Sequence, residues 1–167
     1  MNIVFEKLEN KHQKAVMDIF NYYVENSFAA FAESRLPDVF FEKIMEKVQN
    51  YPAYAIKDTD TGAITGFCYL SPYHSLPTFK RTAKISYFIL PHYTHAGVGK
   101  MSLDKLESDA REWGIAVILA EISSKNPQSI AFHEKNGFEC RGHFKQIGYK
   151  HGEYFDVITM QKELVKI

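Results

Sequence analysis

The sequence predicts a mixed α/β fold around one central sheet, carried by a single domain spanning residues 1–167. Three observations point there. The run Thr82–Leu90 alternates, with Ala83, Ile85, Tyr87 and Ile89 on one face, which is the period of a half-buried strand. It feeds the segment Thr94-His95-Ala96-Gly97-Val98-Gly99, which opens an amphipathic helical pattern. Beyond that helix, Ile115–Ala120 is a nearly unbroken apolar stretch, as a buried parallel strand requires.

The elements follow in order. Ile3-Val4-Phe5 reads as a short strand, and residues 11–25 place Ala15, Val16, Ile19, Tyr22 and Tyr23 at helical spacing. Pro37 starts a second helix, in which Val39, Phe40, Ile44 and Val48 keep the period until Asn50 and Pro52 end it. Residues 53–57 and 64–70 read as a hairpin around the turn Asp58–Gly62. After the strand that Pro91 stops, the helix of residues 97–112 turns Val98, Met101, Leu106, Ala110 and Trp113 inward, and Gly114 closes it. Asn126-Pro127 begins the next helix, with Asn126 as its N-cap and Pro127 in its first turn, and Asn136-Gly137 ends it. Two strands, residues 138–147 and 153–160, join around Gly148–Gly152. The predicted order is β-α-α-β-β-β-α-β-α-β-β.

Composition narrows the function. With 20 Lys plus Arg against 20 Asp plus Glu, no overall field draws polyanions or anionic lipid, so nucleic acid and membranes are not expected partners. The 46% hydrophobic content suits a substantial core. No run approaches transmembrane length, and Met1–Lys7 lacks the basic-then-apolar order of a signal peptide, so the expectation is a cytoplasmic protein. Cys68 and Cys140 lack metal-ligand spacing and are expected to be buried free thiols; no metal is expected.

The glycine loop carries the strongest chemical signal. Glycine lets backbone N–H groups approach an anion closely, and the helix that follows adds the positive end of its dipole, so a cofactor with two linked phosphates is implied. A Walker loop would need Gly in place of Thr94 and a hydroxyl residue in place of Met101. A dinucleotide fingerprint would need Gly in place of Ser102. The plain alternative is a strand-to-helix turn that merely uses glycine.

With that loop, the Asn126 helix and the Gly137-Phe138 turn in place, nearly the whole chain resembles the GNAT superfamily of acetyl-CoA-dependent N-acetyltransferases. Its loop is Arg/Gln-x-x-Gly-x-Gly/Ala; Gly97 and Gly99 match, while Thr94 takes the first place. Within it the chain is most similar to the phosphinothricin acetyltransferase branch. That likeness rests on Asn21-Tyr22-Tyr23, on Asn126-Pro127-Gln128-Ser129 with His133-Glu134 and Gly137-Phe138, and on Gly148-Tyr149-Lys150-His151-Gly152 before Asp156.

The resemblance implies a homodimer that transfers acetyl from acetyl-CoA to the amine of a small molecule, an amino acid or its analogue among them. It implies that the backbone of Tyr87, Phe88 and Ile89 pairs with the pantetheine arm, and that Thr94, His95, Ala96, Gly97, Val98, Gly99 and Lys100 hold the pyrophosphate. Asn126 contacts the arm while capping its helix, its oxygen and nitrogen serving separately. His133 is the side chain for a proton transfer, since imidazole titrates near neutrality. Many relatives carry a catalytic glutamate where this chain has Lys84, and the arginines that hold an amino-acid carboxylate are missing around Tyr73-His74-Ser75-Leu76-Pro77. Phe31, Tyr73, Lys84 and His151 are therefore the expected substrate contacts. Other readings are a CoA-binding module with little turnover and a peptide or protein Nα-acetyltransferase.

Overall fold

The computed structural model describes residues 1–166. A seven-stranded sheet in the order β1-β2-β3-β4-β5-β7-β6 divides the molecule into two layers. Its strands are β1 (Ile3–Lys7), β2 (Ala53–Asp58), β3 (Ile64–Pro72), β4 (Thr82–Ile89), β5 (Val117–Ser123), β6 (Glu139–Lys150) and β7 (Glu153–Glu163). The helices are α1 (Gln13–Asn26), α2 (Phe41–Lys47), a single turn α3 (Pro91–Thr94), α4 (Val98–Glu112) and α5 (Pro127–Lys135). The predicted order holds, with α3 added where the sequence suggested a loop.

Alternation along the strands sorts side chains between two cores. On one face Ala83, Ile85 and Ile89 of β4 and Ile118, Ala120 and Ile122 of β5 pack with Val98, Leu103, Leu106 and Ala110 of α4. On the other, Ala55, Phe67 and Tyr69 pack with Val16, Met17 and Ile19 of α1 and with Phe41 and Ile44 of α2, and Phe88 closes against them.

Four expectations about packing are corrected. Met101, 40% exposed, lies about 140° round α4 from Leu106 and so faces water. Trp113, 54% exposed, is the C-cap of α4, past its last turn, and stacks on Tyr51. Val39 belongs to a short 3-10 turn, Asp38–Phe40, before α2 and is exposed; Phe41 enters the core instead. Cys68 is buried as expected, but Cys140 is exposed, because it sits on the edge strand β6 where the pairing with β7 slips between Cys140 and Gly142.

The feature that positions the site is the join between β4 and β5. It is the one parallel pairing in the sheet, and its register covers only Thr82↔Val117, Ala83↔Ile118 and Lys84↔Leu119. Beyond Lys84, β4 stays paired to β3 as far as Gly66↔Ile89, and β5 stays paired to β7 as far as Ser123↔Val157. The two strands splay apart and each presents a free edge to the gap.

Candidate active site

The N–H of Leu90 donates to the Thr65 carbonyl of the neighbouring segment at 2.8 Å. Antiparallel pairing alternates, so Phe88 and Ser86 also turn their backbone groups toward β3, and Tyr87 and Ile89 turn theirs into the gap. The Tyr23 hydroxyl of α1 donates to the Ile89 carbonyl. That leaves the N–H and C=O of Tyr87 and the N–H of Ile89 without partners among the described residues, a sheet edge that an extended amide-bearing chain can join.

At the end of β4, Gly97 adopts φ +82° and caps α4. No side chain tolerates that conformation cheaply, and the space beside it is empty, so its glycine serves the turn. The first intrahelical bond runs from the Met101 N–H to the Gly97 carbonyl at 3.0 Å. The N–H groups of Val98, Gly99 and Lys100 consequently lack helical acceptors and, with the dipole, form an anion cradle. Gly99 lies 3.7 Å, measured from an added Cβ, from the Phe132 ring of α5 and 3.8 Å from Ile89, which places the cradle at the gap's outer end.

From the opposite wall, Asn126 accepts a hydrogen bond from the Ser129 N–H through Oδ1 at 3.2 Å, capping α5. Its Nδ2 has no protein partner among the described residues, and Asn126 lines the cavity.

That cavity, about 410 Å³, fills the splay and extends toward α1 and α2. Phe20, Phe31, Phe40 and Tyr69 wall it with aromatic surface, and Ala29–Ala32 form one side. Lys43 and Lys47 of α2, Lys84 of β4 and Glu121 of β5 bring charge to it; Lys84 Nζ lies 2.9 Å from Glu121 Oε2. Burial, and then the neighbouring Lys84, lower the pKa of Lys47, while Glu121 acts in the opposite sense.

His133 lies at the α5 end of the cavity, only 3% exposed. Its Nδ1 donates to the Ser129 carbonyl at 2.7 Å, so Nε2 carries the lone pair and accepts from the Tyr87 hydroxyl. Burial lowers the His133 pKa, partly opposed by the Ser129 carbonyl, and burial raises the Tyr87 phenol far above its ordinary range. Histidine is thus the neutral acceptor and tyrosine the protonated donor.

The expected site residues divide. Tyr87, Phe88, Asn126, His133, Lys84 and Phe31 all line the cavity, and the Gly97 loop adjoins its outer end. Tyr73 does not line it: it is exposed on the loop after β3 and packs on Phe79, because β3 carries it past the sheet. His151 does not line it either. It forms the left-handed turn between β6 and β7, φ +51°, with its ring against Glu33 and Phe28. Two loop side chains are spoken for as well: Thr94 Oγ1 donates to the Pro91 carbonyl at 2.7 Å, and the Lys100 ammonium pairs with Asp104 one turn along. His95 and Ala96 are exposed.

The sequence reading missed Glu121, Lys43 and Lys47, and gave Lys150 only as part of the Gly148–Gly152 motif. Lys150 is fully buried and donates to the carbonyls of Ser27 and Ala30, 2.7 Å each. It ties the β6–β7 hairpin to the segment that forms the cavity wall. Asn21 does similar work, exchanging hydrogen bonds with the Leu36 backbone at 2.8 and 2.9 Å. Two motifs noted in the sequence thereby acquire a structural meaning: both hold the residue 27–36 segment over the sheet.

Comparison with known proteins agrees with this geometry. The chain is 28% identical to an L-amino acid N-acyltransferase, MnaT, of Escherichia coli, over 90% of this chain and 87% of that protein. It is 28% identical to an L-methionine sulfoximine/L-methionine sulfone acetyltransferase of Salmonella typhimurium, over 90% of this chain and 88% of the other. Among solved structures, a phosphinothricin acetyltransferase of the GNAT superfamily from Sinorhizobium meliloti, in complex with AcCoA, superposes with a TM-score of 0.90 at 25% identity, covering 98% of this chain and 89% of that one. Residues 16–138 match the acetyltransferase (GNAT) family itself, and with the splayed β4–β5 join and the glycine-capped α4 on the same chain, this protein belongs to that family.

Proposed function

We propose that the chain transfers the acetyl group of acetyl-CoA to the amine of a small molecule, an amino acid or amino-acid analogue. The observation that carries this reading is the β4–β5 splay, which joins an anion cradle at one end to an aromatic-walled and charged chamber at the other. A cavity of about 410 Å³ matches a small acceptor. The names of the Escherichia coli and Salmonella relatives support the same acceptor class.

Acetyl-CoA supplies an activated acyl carbon on a thiol leaving group. The free edge at Tyr87 and Ile89 holds its arm by strand-like pairing, with the Asn126 amide opposite, and the N–H groups of Val98, Gly99 and Lys100 hold the pyrophosphate. Lys100 is free to join them, because an exposed i,i+4 pair such as Lys100–Asp104 contributes only about 0.3–0.5 kcal/mol. The Tyr87 O–H, which rests on His133 Nε2, turns from it to the departing sulfur. His133 enters the proton transfer through Tyr87, holding that hydroxyl in place.

We further propose a homodimer and a cytoplasmic location. The outer face of the β6–β7 hairpin exposes Phe144, Ile147, Tyr149 and Tyr154, an apolar group suited to a second copy. Both cysteines are free thiols, which suits a reducing compartment. Light scattering on a sizing column tests the dimer.

The function is tested by following thiol release from acetyl-CoA across a panel of L-amino acids, L-methionine sulfoximine and short peptides. Release that depends on a small amine is expected. Calorimetric binding of acetyl-CoA without any such release would make the chain a binding module, and release with peptides alone would move the acceptor class.

A further inference from the structure

Among the described residues that line the cavity, Glu121 is the only carboxylate. His133, the other titratable group with a lone pair near neutrality, spends that lone pair on the Tyr87 hydroxyl. The three remaining ionisable side chains with charge to bring, Lys43, Lys47 and Lys84, are all lysines. A chamber that must take a proton from an incoming ammonium therefore has one open acceptor.

Its placement fits that task. On β5 the core face carries Ile118, Ala120 and Ile122, so Glu121 points to the opposite face, the one shared by Lys84 and Phe88 and covered by α1 and α2. Lys84 is the last residue of β4 still in register with β5, and Glu121 lies two residues past its partner Leu119. The ion pair thus spans the splay where it begins to open. Its single contact runs from Lys84 Nζ to Glu121 Oε2; among the described residues Oε1 has no partner. Both side chains are part-exposed, 29% for Lys84 and 39% for Glu121. An ion pair that is wet, singly bonded and made across a gap is a template for a zwitterion: a guest with an ammonium and an acid group can replace each partner with its own opposite charge.

We propose that Glu121 binds the ammonium of the acceptor and is the catalytic base, with Lys84 as the positioning residue that then takes the acceptor's acid group. This rests on the acetyl-transfer reading above and assigns the residue within it. One proton passes from the ammonium to the Glu121 carboxylate. The freed nitrogen lone pair forms the C–N bond to the acetyl carbon while the C–S bond breaks. The sulfur takes the Tyr87 proton, the second N–H proton restores the Tyr87 hydroxyl, and Glu121 returns its proton to water. One amide, one thiol and one proton leave for each ammonium and thioester consumed. The carboxylate on β5 takes over the duty that the lysine on β4 cannot perform.

The test compares the native chain with Glu121→Gln, which keeps the shape, and Glu121→Asp, which keeps the charge. The acceptor is the best amine of the panel, or L-methionine sulfoximine if none stands out. Glu121→Gln is expected to lower kcat/KM by about 100-fold or more, with Glu121→Asp recovering part of it. Calorimetry should show weaker acceptor binding in Glu121→Gln, with acetyl-CoA affinity and melting temperature unchanged. Turnover of Glu121→Gln within threefold of native overturns the assignment while leaving the acetyltransferase reading intact. So does a parallel fall in melting temperature and acetyl-CoA affinity in both variants, which would make Glu121 structural. Thiol release from no amine by the native chain overturns the transferase reading and this base with it.

Discussion

The hydroxyl of Tyr87 on β4 donates to Nε2 of His133 on α5, and the two rings lie nearly parallel, 12° apart with centroids 5.6 Å from each other. The contact crosses the mouth of the β4–β5 gap and joins its two walls. It also settles the tautomer, because the Ser129 carbonyl takes the other ring proton.

Tyr87→Phe removes the donor and keeps the ring. Turnover is expected to fall about 100-fold if Tyr87 serves the sulfur. The affinity for acetyl-CoA, which rests on backbone groups, should stay within about twofold. Leaving His133 Nε2 buried and unpartnered should also lower stability by about 1–3 kcal/mol, read by denaturant unfolding.

His133 makes stability depend on acid. Its folded pKa lies below the ordinary 6.5 because of burial, so the unfolded chain takes up a proton first as pH falls. The stabilising contribution is complete above pH 6.5 and declines as pH drops below that value toward the folded pKa. Denaturant midpoints measured from pH 7.5 downward should show this decline in the native chain and lose that component in His133→Phe.

Lys150→Met should leave the buried carbonyls of Ser27 and Ala30 without their donor, costing about 1–3 kcal/mol for each. Since the segment they belong to walls the cavity, KM for the acceptor should rise more than the dissociation constant of acetyl-CoA. Steady-state kinetics beside calorimetry separates the two.

Gly97→Ala meets no steric obstacle but must hold φ +82°. The strain is about 1 kcal/mol or more, so the cap relaxes and the cradle loses alignment. The expected result is an intact fold with acetyl-CoA binding weakened about tenfold, the equivalent of 1.4 kcal/mol. Gly99→Ala, at an ordinary φ with only van der Waals neighbours, should weaken it less.

Much of the fold could be read along the chain. Each strand and helix announces itself through a period of 2.0 or 3.6 in its own side chains, and breaks such as Pro52, Gly114 and Gly137 mark where a period must stop. Errors arose where a residue keeps the period but lies at an element's margin. Trp113 is in phase with Leu106 yet stands one residue past the helix, and Val39 falls in a 3-10 turn before α2. Met101 is a plain misplacement on the wheel.

The sequence by itself determined the elements, the glycine-capped helix start after β4, and the Asn126 cap, because each depends on residues a few positions apart. Only the tertiary structure decided which side chains share the chamber. Lys84 and Glu121 meet because β4 and β5 pair in parallel for three residues and then part, and Lys150 is buried because its hairpin folds back over residues 27–30. Tyr73 and His151 lie away from that chamber for the same reason: the direction of a strand end is set by packing between distant segments, and no local period records it.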